Sequence, residues 1–178
     1  MFREPKNVWR IHLRPEKTDN SKYCIENGVV AIGWGFFKLE EENPNLYKSV
    51  KGITEWADYV YYNKKYYERD EVKSTVLRFR YDIVPGDVIW THAEDGNYYF
   101  AVVNENSDWR FCSEHKARKK NASNQRINIH WHEVEDVSSI QDDLRKVFRG
   151  QTLQRVLNYP KVIEFTLEQL RRLENENS

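Results

Sequence analysis

The fold of this chain is decided by the stretch Pro85-Gly86-Asp87-Val88-Ile89-Trp90, which continues as THAEDGNYYFAVV over residues 91–103. Two apolar runs are separated by the polar residues 94–97, which include Asp-Gly. Asp-Gly between apolar runs favours a tight turn, so the stretch predicts a β-hairpin. Pro85-Gly86 also predicts the end of any helix before it.

Two further strands are predicted on the N-terminal side of this hairpin. Trp9, Ile11 and Leu13 occupy alternate positions, which is the pattern of a half-buried strand. Residues 29–34 (VVAIGW) are apolar throughout and follow Asn27-Gly28, so they indicate a buried strand. Between this strand and the hairpin, Thr54 and Asp70 are the predicted caps of two helices, the second ending near residue 82.

The C-terminal side of the hairpin predicts two more strands and then helices. The strands are expected at residues 109–112 and 127–131, and a helix is expected from Ser139 to Gly150. Thr152 and Thr166 are predicted starts of two more short helices. Short strands interrupted by one helical insertion favour an α+β fold with a small curved, partly closed β-sheet flanked by helices. We expect residues 1–178 to form a single domain, with residues 151–178 as a C-terminal helical extension.

The composition limits the classes of partner. The chain has 178 residues, and its 28 basic and 28 acidic residues cancel, so binding to a polyanion would need a local patch. An aromatic content of 14% is typical of a packed chain rather than a disordered one. Two cysteines and an N-terminus without a long apolar run predict a cytoplasmic protein that does not contact a membrane.

The six tryptophans are the most informative residues for function. Trp34, Trp90 and Trp109 lie at predicted strand ends or beside glycine. Packing in the core is the commoner role of tryptophan. The alternative is a stacking pocket, because an indole face can stack on a nucleobase or hold a methylated group. Trp34 is the best candidate because it lies between Gly33 and Gly35.

A basic segment follows the predicted strand at 109–112. No acidic residue interrupts residues 115–126. Its cations would form a patch that contacts phosphates, while a solvated loop is the commoner interpretation. The candidate residues are Lys116, Arg118, Lys119, Lys120 and Arg126.

Signals for metal binding and catalysis are weak. Cys112 with His115 and His130 with His132 have spacings that could bind zinc, although a buried thiol and scattered polar histidines are the commoner explanation. Glu71-Val72-Lys73 has the E-x-K form of some nuclease cores but falls at a predicted helix start. Motifs for a nucleophile elbow, a phosphate loop and a dinucleotide fold do not occur. We therefore expect no cofactor, no metal and no catalytic residue.

The order of these segments resembles the PUA-like superfamily. EVE and YTH-type domains, and the related specificity modules of modification-dependent restriction systems, are the most similar group. The matching pieces are Trp9 to Leu13, Val29 to Gly35, the helix ending at Phe79, Ile83 to Trp90, Tyr98 to Val103 and Ile127 to His132.

This resemblance implies a module that binds nucleic acid and accepts a flipped or unstacked base in an aromatic cage. Bases modified in RNA or DNA, such as methylated adenine or cytosine, are the implied ligands. By position, Trp34 and Trp90 would form the cage with Trp109 as a third member, and the basic segment would follow the backbone. Two alternatives stay open: the chain acts alone, or it acts with a separately encoded effector protein.

Two other classes of function stay open at this stage. Some relatives of the ASCH type look like hydrolases or nucleases on the same broad fold. A module that binds a small molecule or a protein could instead use the tyrosine-rich helix that contains residues 59–67.

Overall fold

Strands and helices are interspersed along the chain. The computed structural model describes residues 4–13, 19–36 and 38–176. The strands are β1 (Val8–Ile11), β2 (Val30–Ile32), β3 (Val88–His92), β4 (Tyr98–Val102), β5 (Trp109–Phe111), β6 (Asn124–Arg126), β7 (Trp131–Val134) and β8 (Leu153–Arg155). The α-helices are α1 (Ser21–Glu26), α2 (Leu39–Glu42), α3 (Pro44–Val50), α4 (Trp56–Tyr67), α5 (Ser74–Tyr81), α6 (His115–Lys119), α7 (Gln141–Val147) and α8 (Pro160–Glu176). A short 3-10 helix, Ser138–Ile140, precedes α7.

These strands form two sheets. The larger sheet has the order β7-β4-β3-β1-β8, and the smaller sheet has the order β2-β6-β5. β1 and β3 run parallel, with Trp9 opposite Ile89, whereas the other pairs are antiparallel. The combination of two mixed or antiparallel sheets with several helices confirms the α+β prediction.

The predicted hairpin forms, and its strands β3 and β4 lie inside the larger sheet rather than at its edges. Trp90 of β3 lies opposite Phe100 of β4. Gly96 has a φ of 89°, which a glycine adopts without steric cost, and this explains the Asp-Gly turn. The buried carboxylate of Asp87 accepts hydrogen bonds from Trp9 Nε1 at 2.8 Å, from Asn7 Nδ2 at 2.8 Å and from the amide of Val84 at 3.0 Å. Asp87 therefore fixes the start of β3 against β1.

The larger sheet separates two hydrophobic cores. On one face, Trp9 and Ile89 pack in a core that also contains β2, Tyr59 of α4 and Phe79 of α5. On the other face, Trp90 packs in a second core with residues of α7 and α8. The alternation of side chains along β3 therefore sends the neighbouring residues 89 and 90 to opposite cores.

The central strand of the smaller sheet is polar. Asn124 and Gln125 of β6 are fully buried, and Arg126 is 5% exposed. Buried polar groups are stable only when they are hydrogen-bonded, and each of these three is. The Gln125 amide donates to Tyr23 Oη at 3.0 Å and to the carbonyl of Ala122 at 2.9 Å, and it accepts from Arg110 Nη2 at 2.6 Å.

Arg126 fastens the smaller sheet to the end of α5. Its guanidinium donates to the carbonyls of Phe79 at 3.1 Å, Arg80 at 3.0 Å and Ser107 at 2.8 Å, and also to that of Ile83. The last carbonyls of a helix lack partners within the helix, so a cation stabilises them. Burial lowers the pKa of Arg126 to about 10, so the side chain is still charged at neutral pH.

Several predicted boundaries are wrong. The strand expected at residues 127–131 is interrupted, because β6 ends at Arg126, Asn128 takes a left-handed φ of 58° and β7 begins only at Trp131. The helix expected from Asp70 begins at Ser74. Helices α1, α2 and α3 are not among the predicted elements, because none of them has a long periodic pattern.

The C-terminal prediction also needs correction. Thr152 starts no helix; it precedes β8, which pairs with β1 and so belongs to the larger sheet. Thr166 lies inside α8, where its hydroxyl bonds to the carbonyl of Val162 at 2.6 Å. Among the described helices, none is long and apolar enough to cross a membrane.

We expect Arg126→Met to lower the free energy of unfolding by about 3 kcal/mol or more, because it leaves four carbonyls without a donor. Urea unfolding followed by circular dichroism measures the effect. Arg145→Met is the control, since Arg145 is 60% exposed and its ion pair with Asp142 should contribute less than about 1 kcal/mol. Equal losses in the two variants would contradict a special role for the Arg126 bonds.

Candidate functional site

Trp34 lies in a strained loop directly after β2. Its φ is 59°, and that of Phe36 is 56°. Both values fall in the left-handed region, which is rare for bulky side chains and costs about 1–2 kcal/mol per residue. Such strain persists only where the surroundings enforce it, and it is concentrated at functional sites. Trp34 is also partly exposed, whereas its neighbours Gly35 and Phe36 are buried.

The two glycines beside Trp34 allow the loop to lie against the segment that leads into β6. A Cβ on Gly33 would collide with the side chain of Asn121, and one on Gly35 would collide with the hydroxyl of Ser123. Close approach therefore favours glycine at both positions, most strictly at Gly35, where the Cβ of Ser123 is also too close. The backbone of Trp34, which lies between the two glycines, is therefore held against this segment.

A buried network of hydrogen bonds holds the Trp34 loop in place from the core side. Asn124 Nδ2 donates to the carbonyl of Gly33 at 2.6 Å, and Tyr59 Oη donates to the carbonyl of Trp34 at 3.3 Å. The Tyr59 hydroxyl in turn accepts from Asn124 Nδ2 at 3.1 Å and from Asn63 Nδ2 at 2.9 Å. Burial raises the pKa of Tyr59, which keeps its hydroxyl protonated and able to donate.

The same network positions Trp109. The indole Nε1 of Trp109 donates to Asn124 Oδ1 at 3.2 Å. A single buried amide therefore bonds both to the Trp34 loop and to Trp109. Because Asn124 uses both ends of its amide, rotation of its side chain would break both connections.

Four aromatic rings pack together beside this network, and we call them the aromatic cluster: Trp56, Tyr59, Tyr81 and Trp109. The ring centroid of Trp56 lies 5.2 Å from that of Tyr59, 4.9 Å from that of Trp109 and 5.7 Å from that of Tyr81. Tyr59 is fully buried, Trp56 and Trp109 are half-buried, and Tyr81 is 55% exposed. The cluster thus extends from the core to the surface.

Trp90 does not belong to this site, which corrects the sequence prediction. Its side chain has no exposed surface, and its Nε1 donates to Thr166 Oγ1 at 3.0 Å. It packs against Phe100 and Phe165 in the core beneath α8, on the opposite face of the larger sheet from Tyr59. No face of this indole is open to a ligand.

The basic segment is only partly a surface patch, which is a second correction. Arg126 is buried by its carbonyl partners, as described above. Arg118 is 4% exposed, donates to the carbonyl of Ser113 at 3.0 Å and pairs with Glu40 at 2.8 Å. By contrast, the side chains of Lys116, Lys119 and Lys120 are exposed. Lys119 and Lys120 come just before Asn121, whose side chain lies against Gly33.

The residues considered for other chemistry are not brought together. Among the described residues, no group of three or more His, Cys, Asp or Glu side chains could hold a metal ion. Cys112 is buried in the core next to β5. The rings of His130 and His132 contact each other at β7 of the larger sheet, with their centroids 4.7 Å apart. Glu71 and Lys73 are exposed residues before α5 and do not lie on a strand.

Comparison with known proteins gives one match. A family model described as a domain of unknown function, DUF8426, matches residues 9–114, which is more than half of the chain. The chain belongs to this family. The DUF8426 match includes Trp34 and the whole aromatic cluster but ends before Asn124 and Arg126. No curated protein and no solved structure matches the chain.

Sequence reasoning missed the residues that connect the site. Tyr59 is one of several tyrosines on a predicted helix, and the number of tyrosines alone does not separate it from Tyr61, which is 60% exposed. The spacing of Tyr59, Asn63 and Tyr66 along one face of α4 is the signal that separates them. For Asn124 no local signal exists, because its partners come from distant segments.

Replacement of Trp34 tests the strained backbone separately from the ring. We expect Trp34→Gly to be about 1 kcal/mol more stable than Trp34→Ala, because only glycine adopts the left-handed conformation without cost. Urea unfolding of the two variants measures the difference. At exposed Ala57 in α4, replacement by glycine should have the opposite sign and lose about 1 kcal/mol. A Trp34→Ala variant as stable as Trp34→Gly would contradict the strain.

Proposed function

We propose that this chain is a non-catalytic module that binds nucleic acid and recognises an unstacked, modified base at Trp34 and the aromatic cluster. One observation carries the proposal: a partly exposed tryptophan is held in a strained conformation by a buried network that also holds Trp109. Backbone strain is concentrated at functional sites, and a binding residue benefits from being fixed before the ligand arrives.

The energetics of stacking support this choice. Taking a base out of a stack costs a few kcal/mol, and stacking on an aromatic side chain returns about 1–3 kcal/mol per base. A second ring that is partly open to solvent increases this return, and the half-buried Trp109 on the same hydrogen-bond network supplies one. A methylated base gains further, because methylation enlarges its apolar surface and can add partial positive charge that an indole face attracts.

The distribution of charged residues is consistent with a phosphate contact close to Trp34. The chain has no net charge, so its affinity for a polyanion must come from cations close to the site. Lys119 and Lys120 are exposed next to the Trp34 loop, and Lys116 lies one turn earlier on α6. These three lysines remain as candidate phosphate contacts, while the buried Arg118 and Arg126 are assigned structural roles.

The finer features expected from the resemblance belong to the same proposal. The two sheets around the core of Trp9 and Tyr59 would correspond to the partly closed sheet of a PUA-like fold. The module would act in the cytoplasm on DNA or RNA, and a separately encoded effector protein would supply any catalytic step.

Fluorescence anisotropy with labelled oligonucleotides tests the proposal. Single-stranded and duplex DNA and RNA, each with and without N6-methyladenine or 5-methylcytosine, are titrated at one stated salt concentration. We expect at least one modified strand to bind more tightly than its unmodified counterpart. Trp34→Gly should weaken that binding by roughly tenfold or more, since it removes the stacking face but relieves the backbone strain.

Tyr61→Ala is the matched control. Tyr61 is 60% exposed on α4 but lies outside the aromatic cluster, so its replacement should leave oligonucleotide binding unchanged. If wild type and Trp34→Gly bind every strand equally, the base-reading function is wrong. A loss of binding confined to Tyr61→Ala would favour the tyrosine-rich helix as the binding surface instead.

A further inference from the structure

Arg80 lies at the exposed edge of the aromatic cluster, in the last turn of α5. Its guanidinium carbon lies 5.5 Å from the ring centroid of Tyr81 and 6.0 Å from that of Trp109. These distances place the guanidinium over both rings, where a cation is attracted to the aromatic faces. This stacking holds the half-buried side chain beside the site proposed above.

The charge of Arg80 is not neutralised within the part of the chain that the structure describes. There its side chain forms no ion pair, and its buried Nε has no hydrogen-bond partner. Arg78 in the same helix differs, since it pairs with Asp82 at 3.5 Å. Burial is the main cause of the lowered pKa of Arg126, and the nearby charge of Arg80 lowers this pKa further, while the carboxylates of Asp87 and Asp108 act in the opposite direction. An anion bound here would relieve the repulsion between the two arginines.

This position is continuous with the base site. Trp109 contacts Tyr59 with ring centroids 5.5 Å apart, and the Tyr59 hydroxyl reaches the carbonyl of Trp34. Tyr59 is buried, so it connects the Trp34 loop to the aromatic cluster from within the core, while Trp109 and Tyr81 extend the cluster to the surface at Arg80. A ligand that extends from Trp34 toward α5 would meet exposed rings and then an unpaired guanidinium.

We propose that Arg80, Tyr81 and Trp109 bind the nucleotide next to the recognised base, with Arg80 on its phosphate and the rings against its base. The inference rests on the proposed function. It also names the substrate class, which is a single-stranded segment. Bases stack on exposed aromatic side chains only when they have left a duplex, and a phosphate is the anion that accompanies every such base. Guanidinium and phosphate geometries match in a bidentate contact.

Salt-dependent binding of a single-stranded probe tests this assignment. The probe is a labelled strand of about 12 nucleotides, with one copy of the modified base that the wild type prefers. We expect Arg80→Gln to weaken binding about tenfold at low salt. It should also reduce the slope of log affinity against log salt by about 0.7, which corresponds to one lost phosphate contact on a single strand. Arg80→Lys should keep the slope while binding a few-fold more weakly, because it keeps the charge without the planar stacking.

Tyr81→Ala tests the ring contact, and Arg145→Gln is the control for the loss of a positive charge. Tyr81→Ala should weaken binding of the single strand by about fivefold or more and leave binding of a fully paired duplex little changed. Arg145→Gln on α7 removes an exposed arginine on the other side of the larger sheet and should change neither affinity nor slope. Unfolding midpoints measured in parallel confirm that the variants are folded. If Arg80→Gln does not fold, Arg80→Lys and Tyr81→Ala carry the test.

The outcomes separate this inference from the base site. If Trp34→Gly loses binding but Arg80→Gln keeps the wild-type affinity and slope, the Arg80 assignment is wrong and the base site stands. If Arg80→Gln and Arg145→Gln reduce binding equally, only general electrostatic attraction acts, and the assignment is again wrong. A wild-type chain that binds no strand would overturn the base site itself, and this inference with it.

Discussion

The architecture depends on a strand that buries three polar side chains in the middle of the smaller sheet. Burial of Asn124, Gln125 and Arg126 is stable only because neighbouring segments provide each of them with hydrogen-bond partners. Arg126 takes carbonyls from the end of α5 and from the loop before β5. Burial of polar groups on this scale favours one arrangement, because any other register would leave these side chains buried without their hydrogen-bond partners.

The candidate site is a direct product of that strand. Asn124 connects the Gly33 carbonyl, the Tyr59 hydroxyl and the Trp109 indole, and so it relates the strained loop to the aromatic cluster. Arg126 fixes the end of α5, and that end presents Arg80 and Tyr81. The residues that face solvent are therefore positioned by residues that never reach it, which is the usual way in which a binding surface is made rigid.

Sequence patterns predicted those parts of the fold whose causes are local. The hairpin follows from its turn residues, and Trp34 was singled out by the glycines on either side, which the close approach to Asn121 and Ser123 now explains. Trp90 was misassigned because Val88-Ile89-Trp90 is apolar throughout, so the pattern does not say which face each side chain takes. Arg118 and Arg126 were assigned to the surface because charged residues usually lie there. Their burial depends on partners some 40 to 80 residues away, namely the carbonyl of Ile83 and the carboxylate of Glu40.

The guanidinium of Arg126 has a consequence for how this part of the chain opens. Dehydrating a cation costs several kcal/mol, and the cost is offset only when its carbonyl partners are all in place. Those carbonyls lie up to 47 positions away along the chain. A half-docked β6 would carry the full cost of dehydration with few of the bonds, so intermediate openings are scarcely populated. The smaller sheet, the end of α5 and the loop before β5 should therefore exchange their amide hydrogens as one cooperative unit.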